Sequence, residues 1–230
     1  MIFISEIGLN HNGNFDLCYE LIKQSKNSGA NIVKFQLGWK SKSNEINFLD
    51  KKRIIQLINW AKYFEIDIMF SVFHDDALRM LKPFLNKNSR IKIASRTVID
   101  NPILVRKIIK MNLETIISLG MWNKKTLPFL KKKKIKYLWC KSTYPNSIND
   151  LKKFPKVFNN KLFDGFSDHT IGIETALIAI SRGANIIEKH FTLDKSNTTI
   201  RDHTLSSTPE EFQNLVEIGN DINRKIKSGI

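Results

Sequence analysis

The sequence predicts a (β/α)8 barrel of the TIM type, a single α/β domain over residues 1–230. Three observations predict it: eight short apolar segments, helix-patterned stretches between them, and strands that read as near-continuous apolar runs. The strand segments fall at about 3–8, 31–37, 67–72, 90–95, 115–120, 135–141, 163–168 and 185–191. Asn31-Ile32-Val33-Lys34-Phe35-Gln36 typifies them, apolar on alternate and adjacent positions alike, as a strand covered on both faces should be. Between the strands, amphipathic spacing predicts helices over Asp16–Ser28, Lys51–Phe64, Asp75–Leu85, Pro102–Met111, Thr126–Lys133 and Gly172–Ser181. A last helix opens at Thr208-Pro209-Glu210-Glu211, with an N-cap, proline at N1 and early acids. A doubly wound open sheet fits less well, because no Gly-x-Gly-x-x-Gly turn is present and the strand count is eight.

Composition narrows the function classes. With 42% hydrophobic residues among 230, the chain can build a sizeable core, which excludes global disorder. Lys and Arg number 37 against 22 Asp and Glu, a net charge of +15. Such an excess suits nucleic acid, an anionic membrane or anionic substrates. No aromatic-interleaved basic patch accompanies it, so no nucleic-acid partner is expected, and the run Lys131 to Lys134 reads as compositional bias on a solvated surface. Cys18 and Cys140 cannot make a disulfide framework and suit a reducing compartment. The start, Met1-Ile2-Phe3-Ile4-Ser5-Glu6, lacks the basic region and cleavage site of a signal peptide. The longest apolar run, Ala176 to Ile180, is far short of the ~20 residues of a membrane span. A cytoplasmic protein without a membrane partner is the expectation.

Barrel enzymes carry their chemistry at the C-terminal ends of the strands, and there the polar residues gather. In chain order these ends offer Glu6, Lys34 with Gln36, Ser71 with His74, Lys92 with Ser95, Ser118, Lys141 to Tyr144, Ser167 with Asp168 and His169, and Glu188 with His190. A lysine inside an apolar strand is costly unless a charge or ligand satisfies it, and Lys34 and Lys92 are two. Either they pair internally with Glu6 or Glu188, or with neighbouring serines they hold a phosphate and a carboxylate. His169 and His190 end adjacent strands, so their imidazoles can share a divalent metal with water and substrate. Spacing leaves His11, His74 and His203 open as alternative ligands.

These residues carry a specific likeness. The chain resembles the N-acetylneuraminate (sialic acid) synthase family, including the legionaminic and pseudaminic acid synthases. The matching stretches are Ser5-Glu6-Ile7-Gly8-Leu9-Asn10-His11-Asn12-Gly13, Gly29-Ala30-Asn31-Ile32-Val33-Lys34-Phe35-Gln36 and Lys92-Ile93-Ala94-Ser95. They continue as Ile117-Ser118-Leu119-Gly120-Met121, Gly165-Phe166-Ser167-Asp168-His169-Thr170-Ile171-Gly172 and Ile187-Glu188-Lys189-His190-Phe191-Thr192-Leu193-Asp194. They follow family order from Ile4 to about Asp221.

The resemblance implies a C–C bond-forming transferase that condenses phosphoenolpyruvate with an open-chain N-acyl hexosamine, giving a nonulosonic acid and phosphate. It implies His169 and His190 as ligands of a divalent metal, usually manganese, with magnesium or cobalt as alternatives. It implies Lys34, Lys92, Ser95, Ser118 and Ser167 as phosphoenolpyruvate-binding residues. Glu6 matches the residue that handles the proton or water near the attacking carbon, while Gln36, Tyr144 and Asp202 match sugar-side positions. Lys141 and Arg96 join Lys34 and Lys92 as candidates to face the anionic substrate.

Departures cluster on the sugar side. Arg96-Thr97 stands where the family places an acid two residues after the Ser95 equivalent, and Ser71-Val72-Phe73 lacks a phosphate-binding threonine. Ser142 replaces an expected asparagine, Ile200-Arg201 replaces Gly-Pro before Asp202, and the loop after strand two shrinks to about Gly38–Asn47. The likeness covers the barrel only, without the family's C-terminal antifreeze-like domain. It therefore implies a sugar side that is open or completed in a homodimer or by a separate antifreeze-like chain. A weakly active or inactive barrel serving as a partner subunit, and a condensing enzyme with another aldehyde acceptor, are the alternative readings.

Overall fold

The computed structural model describes residues 1–39, 45, 47–159 and 161–229. Eight parallel strands close into a barrel in chain order. They are β1 (Ile2–Gly8), β2 (Ile32–Leu37), β3 (Asp67–Val72), β4 (Arg90–Ile93), β5 (Glu114–Ser118), β6 (Ile135–Trp139), β7 (Gly165–Asp168) and β8 (Ile186–His190). Closure runs through β1 and β8, where Ile2 pairs with Ile186 and Glu6 with His190. Outside lie α1 (Phe15–Asn27), α2 (Lys51–Tyr63), α3 (Asp75–Leu81), α4 (Ser95–Asp100), α5 (Pro102–Lys110), α6 (Glu174–Ser181) and α7 (Pro209–Lys227). No helix among the described residues is long and apolar enough to cross a membrane.

Strand side chains alternate between two faces, so every second residue points into the barrel. Inside, Ile4, Ile32, Met69, Ile116, Leu138 and Ile186 form an apolar floor. Two residues further along the same strands stand Glu6, Lys34, Ser71, Ser118, Cys140 and Glu188. One more step of two reaches Gln36, Phe73, Gly120, Ser142 and His190. The barrel is thus closed by hydrocarbon below and by charge and hydroxyls above. The larger core lies between strands and helices, where Phe3, Leu21, Val33, Phe35, Leu57, Phe212 and Leu215 are fully buried.

Local chemistry fixes the helix starts. Asn14 accepts from the amides of Asp16 and Leu17 at α1, and Asp50 accepts from Arg53 at α2. Thr208 and Glu211 form a reciprocal capping box at α7.

Three expectations are corrected. No helix forms over Thr126–Lys133. Pro128 disfavours helical geometry at Leu127, and the segment is tied down as a loop: Trp122 Nε1 donates to Thr126 O at 2.7 Å and Tyr137 Oη to Phe129 O at 2.8 Å. The helix expected to reach Leu85 ends at Leu81 and tightens into a 3₁₀ turn, Lys82–Phe84, around Pro83. The fourth strand stops at Ile93, and Ser95 already belongs to α4. The shortened loop expected at Gly38–Asn47 lies largely outside the described residues.

Candidate active site

The C-terminal mouth of the barrel opens into a cavity of about 830 Å³. Glu6, Lys34, Gln36, Lys92, Ser95, Ser118, Tyr144, Ser167, His169, His190 and Asp202 all line it. Residues 196 positions apart in sequence therefore meet at one site, because barrel closure returns β8 to β1.

The deepest layer is a buried charge network. Lys34 Nζ lies 3.2 Å from Glu6 Oε1 and 3.0 Å from Glu188 Oε2. Lys92 Nζ lies 3.3 Å from Glu188 Oε1 and donates to Ser118 Oγ at 2.7 Å. Ser167 Oγ donates to Glu188 Oε1 at 2.7 Å, Gln36 Nε2 to Glu6 Oε1 at 3.2 Å, and Lys34 Nζ to Ser71 Oγ at 3.3 Å. The two readings of the strand lysines are therefore not exclusive, since each pairs with glutamate and also faces the cavity.

The two carboxylates differ in what surrounds them. Burial raises the pKa of Glu6 to about 7, with Lys34 opposing and Glu188 reinforcing the rise. Burial works against ionised Glu188 as well, but Lys34, Lys92 and the Ser167 hydroxyl outweigh it and hold its pKa low. Lys34 is raised, because Glu188 and Glu6 overcome its burial. Lys92 is lowered by burial, against the pull of Glu188. The layer thus holds one firmly ionised carboxylate and one carboxyl, Glu6, poised near neutrality. Glu6 Oε2 is buried without a hydrogen-bond partner.

Above this layer the His169 and His190 rings lie 5.4 Å apart. His169 Nδ1 donates to the Lys141 carbonyl at 2.9 Å, which leaves Nε2 with its lone pair free. His190 Nδ1 is buried without a hydrogen bond, and Asp202 Oδ2 stands 3.9 Å from it. Burial holds both imidazoles neutral, with each pKa lowered to about 3, and raises the pKa of Asp202. Tyr144 stacks 4.3 Å from His169. Two neutral imidazoles with a carboxylate beside them suit a divalent cation whose remaining positions go to water or ligand. Among the described residues no three His, Cys, Asp or Glu groups are arranged as a ready-made metal cage.

The alternative histidines have other places. His74 Nδ1 accepts from Ala77 N at 3.2 Å as the N-cap of α3. His203 bonds to Thr192 Oγ1 at 2.7 Å and Asn12 Oδ1 at 2.9 Å. His11 is buried beside Phe35, 6.3 Å between ring centroids, with both ring nitrogens unpartnered. None of the three lines the cavity. Lys141 does not line it either: its ammonium donates to Asp150 O at 3.0 Å, a correction to the sequence reading.

Cys140 and Arg201 line the cavity without a role assigned from the sequence, while Ser71 and Glu188, noted there only as strand-end polar groups and a possible lysine partner, also take places in it. Ser71, one position before Val72, places its hydroxyl in the cavity. The signal for Glu188 and Ser71 was the two-residue step beyond the inward apolar positions. Cys140 Sγ lies 3.2 Å from Ser95 Oγ, which accepts from Gly120 N at 2.8 Å.

A family profile described as the NeuB family matches residues 41–230. The chain is 35% identical over 250 residues to an uncharacterized protein of Methanocaldococcus jannaschii, an alignment covering 98% of this chain and 72% of that one. It is 33% identical over 265 residues to the N,N'-diacetyllegionaminic acid synthase of Campylobacter jejuni, covering 100% and 78% of the two chains. Among solved structures it superposes on the N-acetylneuraminic acid (sialic acid) synthetase of Leptospira borgpetersenii with a TM-score of 0.83. That pair shares 28% identity over 98% of this chain and 84% of the other.

Proposed function

This chain belongs to the NeuB family, and from that premise we propose that it condenses phosphoenolpyruvate with an N-acyl hexosamine aldehyde to a nonulosonic acid, releasing phosphate. The observation that carries the reading is the Glu6–Lys34–Glu188–Lys92 network opening directly beneath two neutral imidazoles.

Phosphoenolpyruvate brings a phosphate and a carboxylate into a barrel interior, and fixed cations must replace their lost hydration. Lys34 and Lys92 supply the charge, with Ser71, Ser95, Ser118 and Ser167 as hydroxyl donors around them. Glu188, within 3.3 Å of both ammonium groups, positions them and favours their charged forms against the cost of burial. The C3 carbon of the enol then forms a bond to the aldehyde carbon, and the aldehyde oxygen takes a proton from solvent, which the water added at C2 in the next step gives back. Positive charge develops at C2, where an ionised Glu6 stabilises it. Water adds to C2, its proton passing to Glu6, and the tetrahedral adduct collapses by C–O cleavage to leave a ketone and free phosphate. His169 and His190 would hold a divalent metal, which when bound would act as a Lewis acid on a carbonyl oxygen, with Asp202 beside them on the acceptor side. Tyr144 and Gln36 wall the acceptor side.

The test is phosphate release dependent on phosphoenolpyruvate, Mn²⁺ and a panel of N-acyl hexosamines. Abolition by His190→Ala in a folded protein supports the proposal. Silence with every acceptor, in a protein that still binds metal, favours a partner-subunit role instead. Loss of activity in His74→Ala with His169→Ala unaffected would overturn the metal assignment.

A further inference from the structure

The cavity has two electrostatic levels. In the lower one each lysine faces glutamate at 3.0–3.3 Å, so both lysines already have carboxyl partners within the layer. At the mouth the cations are Arg96 and Arg201. Asp202 is the acid there, and it is shared between Arg201, at 3.4 Å from Nε, and His190 at 3.9 Å. Among the described residues Arg96 meets a carboxylate only at Asp100, 3.7 Å away and four residues on in the chain, an exposed pair of small energetic value.

Both guanidiniums are seated on the aromatic walls. Arg201 Cζ lies 4.6 Å over the Tyr144 ring, and Tyr144 in turn packs on His169. Arg96 Cζ lies 6.0 Å over the Trp39 ring, which packs 5.3 Å from Phe73. A guanidinium held by its face on an aromatic ring presents its planar N–H edge sideways, and the N–H groups that these single contacts do not use match phosphate or carboxylate oxygens. A neutral hydroxyl chain leaves this edge facing water. Arg96 follows β4 and Arg201 follows β8, on opposed arcs of the barrel, so a molecule entering above the lysine layer passes between them.

We propose that the acceptor aldehyde carries an anionic group, a phosphate ester or a carboxylate, that Arg96 and Arg201 bind at the cavity mouth; this rests on the condensation reading above. The anion sits remote from the new C–C bond and takes no part in bond making. Its recognition is uniform binding, which acts on the acceptor's KM more than on kcat.

The experiment compares an N-acyl hexosamine, its 6-phosphate ester and its uronic acid counterpart, followed by consumption of phosphoenolpyruvate at low and at physiological salt. The expected result is a kcat/KM at least about tenfold higher for one of the anionic acceptors, shrinking as salt rises. In Arg96→Gln/Arg201→Gln that preference falls to within about twofold, through acceptor KM, while phosphoenolpyruvate binding measured by calorimetry is unchanged. Equal or better use of the neutral sugar overturns the proposal, as does a preference that survives in the double variant. Should no acceptor be consumed, the condensation reading fails, and calorimetry of the three sugars judges the charge claim separately. Arginine-dependent tighter binding of an anionic sugar then supports it, and equal or absent binding of all three overturns it. Selectivity for the phosphate over the carboxylate, or the reverse, identifies the group.

Discussion

At the scale of single residues, the site is governed by the cost of unpaired buried charge. Lys34 touches two carboxylates and is 3% exposed, so replacing it leaves two glutamates facing each other across an apolar barrel. Breaking such a network by removing one partner costs about 3–5 kcal/mol. Denaturant unfolding of Lys34→Met should show a loss of that order, and an unchanged midpoint would contradict the network. Glu6 makes a prediction of opposite character. Its carboxyl is raised from 4.5 to about 7, so the folded protein holds a proton that the unfolded chain has already released. Its contribution to stability is therefore full below about pH 4.5 and falls as pH rises through about 7. The same proton must leave before Glu6 can stabilise positive charge, so kcat/KM should climb across neutrality. Glu6→Gln should lose that limb together with most of the rate. A profile still rising near pH 7 in that variant would assign the limb to another group.

At the scale of elements, glycines and caps set where strands and helices can stand. Gly165, the first residue of β7, has no room for a side chain: a Cβ there would sit 1.9 Å from the Ile186 carbonyl oxygen, which is backbone and cannot swing away. Gly165→Ala should force β7 from β8, separating Ser167 from Glu188. The expected outcome is loss of soluble folded protein or a large drop in melting temperature, where Gly229→Ala, with nothing within 4 Å and only a local left-handed φ of 82° to strain at the end of α7, leaves the barrel folded. The capping box of α7 is a milder case. Thr208→Ala removes one side-chain acceptor at an otherwise well-packed helix, a loss of about 1 kcal/mol measurable by urea titration. The elements were legible to different degrees for physical reasons. Strand runs announce themselves because both faces are buried, and Thr208-Pro209-Glu210-Glu211 announces a helix because capping is local. The stretch around Pro128 carries helical spacing but is held in a loop by bonds from Trp122 and Tyr137, tertiary facts that spacing does not contain.

At the scale of the whole molecule, charge and core act through the barrel rather than through single contacts. Between residues 124 and 161 twelve lysines accompany one acid, Asp150, so most of the net +15 sits on one arc. Among the described residues that arc carries no α-helix over β6, only a 3₁₀ turn at Ile148–Asp150. Like charges crowded on a surface repel at low ionic strength, and the melting temperature should rise when salt is increased from about 0.01 M to about 0.15 M. A melting point indifferent to salt would mean that these lysines are spaced too far apart to interact. The floor of the barrel gives the complementary prediction. Ile116→Ala opens a hole where six strands meet and should cost about 2–5 kcal/mol, with the cavity above it loosened as well.

The sequence by itself determined the eight-strand alternation, the positions of the chemistry at the strand ends, and the family likeness carried by motifs around Glu6, Lys34, Lys92, His169 and His190. All of these are local properties, written as periodicity of two along strands and as short runs of residue types. What only the tertiary structure decided is how those groups pair. Glu188 bridging both lysines, Ser71 taking a place in the cavity, Lys141 turning away to Asp150, and the two arginines seated on Tyr144 and Trp39 depend on closure of the barrel. Closure sets side chains from distant strands within about 3 Å of one another, and at that range burial and charge, not sequence spacing, select the partners.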